Sequence, residues 1–253
     1  MIFESHAHYD DPRFDGDRDR VLTAVKDAGI GRVINVGSDL ASSESSVRLS
    51  EKYAFIDAAV GVHPHEAGSY TEETGERLTE LCGNPGVVAF GEMGLDFYYN
   101  RSSADEQAKC FISQTKLARK SGLPVIIHSR DAARQTYEIL RDNGPFTGVI
   151  HCYSGALPMA AEYVRMGFYI GVGGIITFDK TKKLPEVVKE IGLERLLVET
   201  DAPYLSPSPK RGERNDSRNL VYIIEKIAEI KGVAVEDVIY KTRENAVRLF
   251  GER

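Results

Sequence analysis

Short apolar, β-branched runs recur about eight times along this chain, and nearly every gap between them carries a helical hydrophobic period. The runs fall at residues 2–3, 32–36, 55–61, 87–91, 124–128, 147–151, 168–173 and 196–200. Between them, residues 17–28, 42–52, 72–82, 105–121, 132–143, 157–166 and 184–191 read as amphipathic helices, several closed by stop signals such as Ser121-Gly122-Leu123-Pro124 and Asn143-Gly144-Pro145. A polar loop at 206–219 and two further helices, 220–231 and 235–250, follow the last run. Strict β-α alternation with near-continuous apolar strands implies parallel strands covered on both faces. About eight such units in 253 residues favour an α/β chain folded as a closed (β/α)₈ TIM-type barrel with C-terminal helices. No Pro/Ser-rich linker, low-complexity tract or charge block divides it, so residues 1–253 read as one domain.

Composition narrows the class. Hydrophobic residues at 42% and charged residues at 28% exclude a disordered or fibrous chain. The longest apolar stretch, 168–178, is interrupted by Gly171, Gly173 and Gly174 and is too short to span a bilayer, so no membrane partner is expected. Cys82, Cys110 and Cys152 show no CxxC spacing and leave an odd one over, which points to a reducing cytoplasm; the N-terminus reads as lacking a secretion signal. With 32 Lys+Arg against 38 Asp+Glu the net charge is -6, so a polyanionic partner would need metal ions or a local basic patch.

The chemistry gathers at the strand ends. All 6 histidines, His6, His8, His63, His65, His128 and His151, fall at or just after the C-terminal end of a predicted strand, as do Glu92 and Asp201. In a (β/α)₈ barrel those ends form the mouth where active sites are built. In His6-Ala7-His8, alternation points both imidazoles the same way, roughly 6.6 Å apart along the strand, with small Ala7 facing the helices. His128 and His151 close the near-identical runs Val125-Ile126-Ile127 and Val149-Ile150. Each alone reads more readily as a structural histidine than as a ligand; together they favour metal. Glu92 and Asp201 end apolar strands where an unpaired charge is costly, so each needs a divalent ion or a barrel arginine. Four imidazoles and two carboxylates exceed one tetrahedral zinc but suit two ions sharing a bridging group. Zn²⁺, Mn²⁺, Co²⁺ and Mg²⁺ all remain open.

Around this cluster, Arg130 and Arg211 read as phosphate contacts, whereas Lys210 and Arg218 read equally as members of a solvated basic loop. Phe97-Tyr98-Tyr99 either stacks an unpaired base or caps the barrel. Cys152 is expected on the opposite strand face as a small buried residue. Asp201 either orients or deprotonates the attacking water, or is a plain ligand.

Six segments resemble the TatD family of metal-dependent deoxyribonucleases, among the amidohydrolase-like metallo-barrels. They are Ser5-His6-Ala7-His8, Gly61-Val62-His63-Pro64-His65, Gly91-Glu92-Met93-Gly94-Leu95-Asp96-Phe97-Tyr98, Leu123-Pro124-Val125-Ile126-Ile127-His128-Ser129-Arg130-Asp131, His151-Cys152-Tyr153-Ser154-Gly155 and Glu199-Thr200-Asp201-Ala202-Pro203-Tyr204-Leu205. The similarity runs in order from about residue 2 to Asn245. It implies hydrolysis of DNA phosphodiester bonds with two divalent ions, as a 3′-to-5′ exonuclease on single-stranded DNA in the cytoplasm. By position, His6, His8 and Asp201 would hold one ion, His128 and His151 the other, and Glu92 would bridge them. His63 matches a position at the site edge suited to substrate phosphate. Ala7 and Tyr9 stand where the family commonly has Cys and Leu, and Ser217 where it usually has Pro; the last leaves the late loop and substrate preference open. The runner-up is an ester or amide hydrolase, such as an aminoacyl-tRNA deacylase, and a third class is a non-catalytic metal-dependent nucleic-acid binder. A monomer is favoured.

Overall fold

The computed structural model describes residues 1–252. Its strands are β1 (Ile2–Ala7), β2 (Ile30–Val36), β3 (Ile56–Val60), β4 (Val87–Asp96), β5 (Val125–Arg130), β6 (Gly148–Ile150), β7 (Tyr169–Val172) and β8 (Leu196–Val198). They form one parallel 8-stranded sheet in sequence order. The seam between β8 and β1 is closed by an isolated bridge, Ala7 to Ala202. There the His8 N–H donates to Ala202 O at 2.7 Å and the Asp201 N–H to His6 O at 3.0 Å. The sheet is thus a nearly closed (β/α)₈ barrel, as the alternation predicts.

The surrounding helices are α1 (Arg18–Asp27), α2 (Leu40–Lys52), α3 (Glu72–Leu81), α4 (Ala104–Ser121), α5 (Ala133–Asn143), α6 (Leu157–Arg165), α7 (Lys183–Glu190), α8 (Leu220–Lys231) and α9 (Val235–Phe250). Local chemistry sets their ends. Asp39, Thr71 and Ser103 accept from backbone N–H groups at the starts of α2, α3 and α4, and each forms a reciprocal capping box. Gly122 closes α4 in the left-handed conformation at φ +69, where a side chain would be strained. No helix among the described residues is long and apolar enough to cross a membrane.

Two apolar layers result. Residues such as Leu22, Leu78, Phe111 and Ile223 fill the space between sheet and helices. A smaller inner cluster, including Phe3, Ile34, Ala59, Ala89, Ile126, Val149, Tyr169 and Leu197, fills the barrel below its mouth. Phe250 of α9 plugs the opposite end, its ring 6.1 Å from that of Phe3.

Two strands depart from regular alternation, and both carry site residues. Phe3 and Ala89 belong to the inner cluster, yet His6 and Glu92, each an odd number of positions later, also face inward. The pairing register slips between Glu4 and Ala7 in β1 and between Phe90 and Met93 in β4. Each slip turns the following residues over. In β4 this needs glycine. A Cβ on Gly94, at φ +149, would lie 1.9 Å from His128 O, and one on Gly91, at φ +145, would lie 2.4 Å from Ile126 O. The strand therefore runs to Asp96, beyond the apolar run that announces it.

Candidate metal centre

At the mouth, His6 near the end of β1 and His8 just past it bring their Nε2 atoms to 3.1 Å. Glu92 Oε2 lies 3.4 Å from His6 Nε2 and 3.9 Å from His8 Nε2. Asp201 Oδ1 lies 3.8 and 3.4 Å from the same two nitrogens. Ligand atoms about 2.1 Å from one tetrahedral ion would sit roughly 3.4 Å apart, so this spacing matches a single shared cation. Asp201 adopts φ +57, a backbone conformation that Asp tolerates better than most residues.

The other oxygen of Glu92 faces a second nitrogen set. Oε1 is 2.9 Å from His128 Nδ1, 3.1 Å from His151 Nε2 and 3.6 Å from His63 Nε2. Among the described residues, no lysine or arginine pairs with Glu92; its charged neighbours are imidazoles alone.

Hydrogen bonds made by the far ring nitrogens decide which imidazoles offer a lone pair. His8 Nδ1 donates to Val36 O at 2.7 Å, His151 Nδ1 to Glu199 Oε1 at 3.0 Å, and His128 Nε2 to Asp96 Oδ2 at 3.2 Å. Each leaves its other nitrogen facing Glu92 or Asp201. His6 is held by its ring, stacked 3.8 Å from that of His151 at 17°. His63 is different: its Nδ1 accepts the His65 N–H at 3.1 Å, so the neutral ring carries its proton on Nε2 and presents a donor to the cavity. His65 donates from Nε2 to Asp96 Oδ2 at 3.0 Å. His63, expected at the edge, is thus within the ring, and His65 outside it.

The electrostatics follow. Burial alone would raise the Glu92 carboxyl, but the charge of His151, the other imidazoles around it and the His128 hydrogen bond hold it well below the usual range. Against the pull of burial, Asp201 and Glu92 push His8 up to about 9, and Glu92 and Glu199 hold His151 well above its ordinary value. Burial dominates at His6 and His63 and lowers both. Without an ion, protons on these rings balance the carboxylates; a divalent cation supplies the same charge, and the donor set fits one.

Asp96, Glu199 and Glu4 add three carboxylates around this set. Asp96 shares with Glu92 the inward face of β4, a two-residue repeat that does carry the signal. Glu199 likewise lies two residues before Asp201, and its Oε1 also accepts the Cys152 N–H at 2.5 Å. Glu4 sits at the seam between β1 and the segment after β8, where it also accepts the His6 N–H at 3.3 Å. It accepts from the Thr200 N–H at 2.8 Å and the Thr200 hydroxyl at 2.7 Å, and burial pushes it up to about 8. Cys152 is partly buried, with its thiol pushed up by burial.

The rim cations fall into two kinds. Lys210, Arg214 and Arg218 are committed to Glu213, Asp17 and Asp216. Arg130 and Arg211 make no ion pair among the described residues; their guanidinium groups lie 4.2 Å from the centre of the Tyr98 ring and 4.1 Å from that of Phe178. A recess of about 1030 Å³ at the barrel's other end, lined by Met1, Phe3, Arg32 and Lys52, is remote from all these groups.

Comparisons with known proteins agree with this arrangement. The profile described as TatD related DNase matches residues 3–251. The chain is 41% identical over 252 residues to the metal-dependent hydrolase YabD of Bacillus subtilis (strain 168), covering 99% of each. It is 34% identical over 258 residues to the 3′-5′ ssDNA/RNA exonuclease TatD of Escherichia coli (strain K12), again covering 99% of each. The crystal structure of YjjV, a TatD homologue from Escherichia coli K12, superposes with a TM-score of 0.94 at 29% identity, over 100% of this chain and 98% of that one.

Proposed function

The chain belongs to the TatD family of metal-dependent hydrolases, and from that premise we propose that it cleaves phosphodiester bonds of DNA as a 3′-to-5′ exonuclease on single strands. One observation carries the reading: the two oxygens of Glu92 face two separate nitrogen sets, as a bridging carboxylate requires. His6, His8 and Asp201 would hold one divalent ion and His128 and His151 a second, with Glu92 facing both sets. Zn²⁺, Mn²⁺ and Mg²⁺ all suit the mixed N/O set. Two such ions, when bound, make a water nucleophilic near neutral pH and neutralise charge on the phosphate.

The chain's own groups supply the rest. Asp201, beside His8, orients a solvent molecule for attack on phosphorus; as the new P–O bond forms, the P–O3′ bond breaks, and the proton given up by that solvent molecule passes to the departing 3′-oxygen. His63 Nε2–H donates to a phosphate oxygen, and the unpaired Arg130 and Arg211 bind flanking phosphates. Local cations and metal let a chain of net charge -6 hold a polyanion. We read residues 1–253 as one domain, acting as a monomer in the cytoplasm.

The test is product mapping on a single-stranded oligonucleotide labelled at either end, beside a panel of carboxylic esters and aminoacylated RNA. Mononucleotides released from the 3′ end support the proposal. Ester turnover with intact strands transfers the site to carbonyl substrates, and strands bound but uncut with Mg²⁺ or Mn²⁺ make the protein a binder.

A further inference from the structure

The imidazoles of the mouth belong to a continuous arc of aromatic rings. From one end, centroid separations run Tyr204 to His8 6.1 Å, His8 to His6 4.9 Å, His6 to His151 3.8 Å, His151 to His128 5.7 Å, His128 to His65 6.5 Å and His65 to Tyr99 5.4 Å. Both ends are tyrosines that break the burial pattern: Tyr204 is 46% exposed, Tyr99 52%, and Tyr98 beside it 60%. Neighbouring groups hold them in place although they cover little core. Asp96 Oδ1 accepts the Tyr98 and Tyr99 N–H groups at 3.0 and 2.9 Å, while its other oxygen accepts from His128. At the opposite end, the Tyr204 hydroxyl donates to Asp11 at 3.2 Å, and Arg13 lies 4.1 Å from the ring centre.

The two ends differ in charge. Arg13 is neutralised by Asp11 at 2.7 Å. Arg130 has no such partner among the described residues; its guanidinium lies 4.2 and 4.7 Å from the Tyr98 and Tyr99 ring centres, which meet edge-on at 90°. An exposed ring accepts any base on its face, and a guanidinium without a counter-ion attracts phosphate.

We infer that Tyr98/Tyr99 and Tyr204 are two stacking posts on opposite sides of the metal centre, gripping unpaired bases on either side of the bond to be cut. Arg130 holds the backbone phosphate at the first post. This rests on the polynucleotide reading above and deepens it: a duplex keeps its base faces covered, so recognition selects unpaired strand ends.

The experiment measures kcat/KM on oligothymidylates carrying 5,6-dihydrothymine, whose saturated ring cannot stack, at one of the last three 3′ positions. Wild type loses roughly tenfold at one or two positions. The Tyr98→Ala/Tyr99→Ala pair loses a similar factor on the unmodified strand and nothing further at its own position, and Tyr204→Leu does so at the other. Phe at each tyrosine position restores the wild-type pattern, and Arg130→Gln reduces the salt dependence of KM by about one counter-ion. Variants that match wild type on the unmodified strand, or base saturation that costs them as much as it costs wild type, overturn the inference alone. A wild-type enzyme inert on every strand overturns the function proposed above together with it.

Discussion

Glu92 is a buried carboxylate whose charged neighbours, among the described residues, are all imidazoles. Replacing it by Gln keeps the volume but removes the charge that both nitrogen sets face. Glu92→Gln and His128→Ala are therefore expected to lose bound metal and more than roughly 100-fold of turnover while retaining the fold. Metal analysis with circular dichroism checks this, and full turnover in both variants refutes the metal centre. The cysteines make a contrasting case. Burial pushes the thiols of Cys82 and Cys110 up to about 11 and 12. An acid whose folded pKa is raised contributes stability that is complete below its unfolded value, near 8.5, and lost as pH climbs through the folded one. Native protein at pH 8 should thus resist alkylation at both thiols, react fully once unfolded, and lose stability progressively above about pH 9. Rapid labelling of the native protein at pH 8 would contradict that assignment.

The elements explain which parts of the sequence could be read. Wherever an apolar run is bounded by turn residues, as at β5 or β6, the strand and the histidine at its end are evident from the pattern. β1 and β4 are harder because inward-facing Glu92, Asp96 and His6 interrupt the apolar signal and make the strand look finished. In both, the register slip breaks the two-residue repeat, so parity counted from Phe3 or Ala89 puts His6 and Glu92 on the wrong face. The ligand types were legible because imidazoles are rare and cluster at strand ends. The supporting Asp96 and Glu199 are marked only by their even spacing from Glu92 and Asp201, because a carboxylate by itself resembles surface charge until a partner nitrogen is located beside it. Gly94 is the sharpest element-scale test. Gly94→Ala places a Cβ 1.9 Å from His128 O and should cost more than about 3 kcal/mol, lowering Tm by roughly 10 °C or preventing β4–β5 pairing. An unchanged melting curve would show that the slip is not needed.

At the scale of the whole molecule, the proposed ligands come from β1, β4, β5, β6 and β8 together with the residues just beyond them, so bound ions would tie together strands from most of the barrel's circumference. Ligands that bind only the folded state stabilise it by mass action. Chelation is accordingly expected to abolish turnover and lower Tm together, and added Mn²⁺ or Mg²⁺ to restore both; a Tm indifferent to chelator would place the ion elsewhere. The seam has a consequence of its own. Its cross-links, Ala7 to Ala202, the His8 N–H to Ala202 and the Asp201 N–H to His6, join the first strand to the last. A polypeptide still emerging from the ribosome, or clipped ahead of residue 196, has His6 and His8 but no Asp201 to face them. With the ligand set proposed above, the hydrolytic apparatus would therefore stay unarmed until translation has passed the final strand.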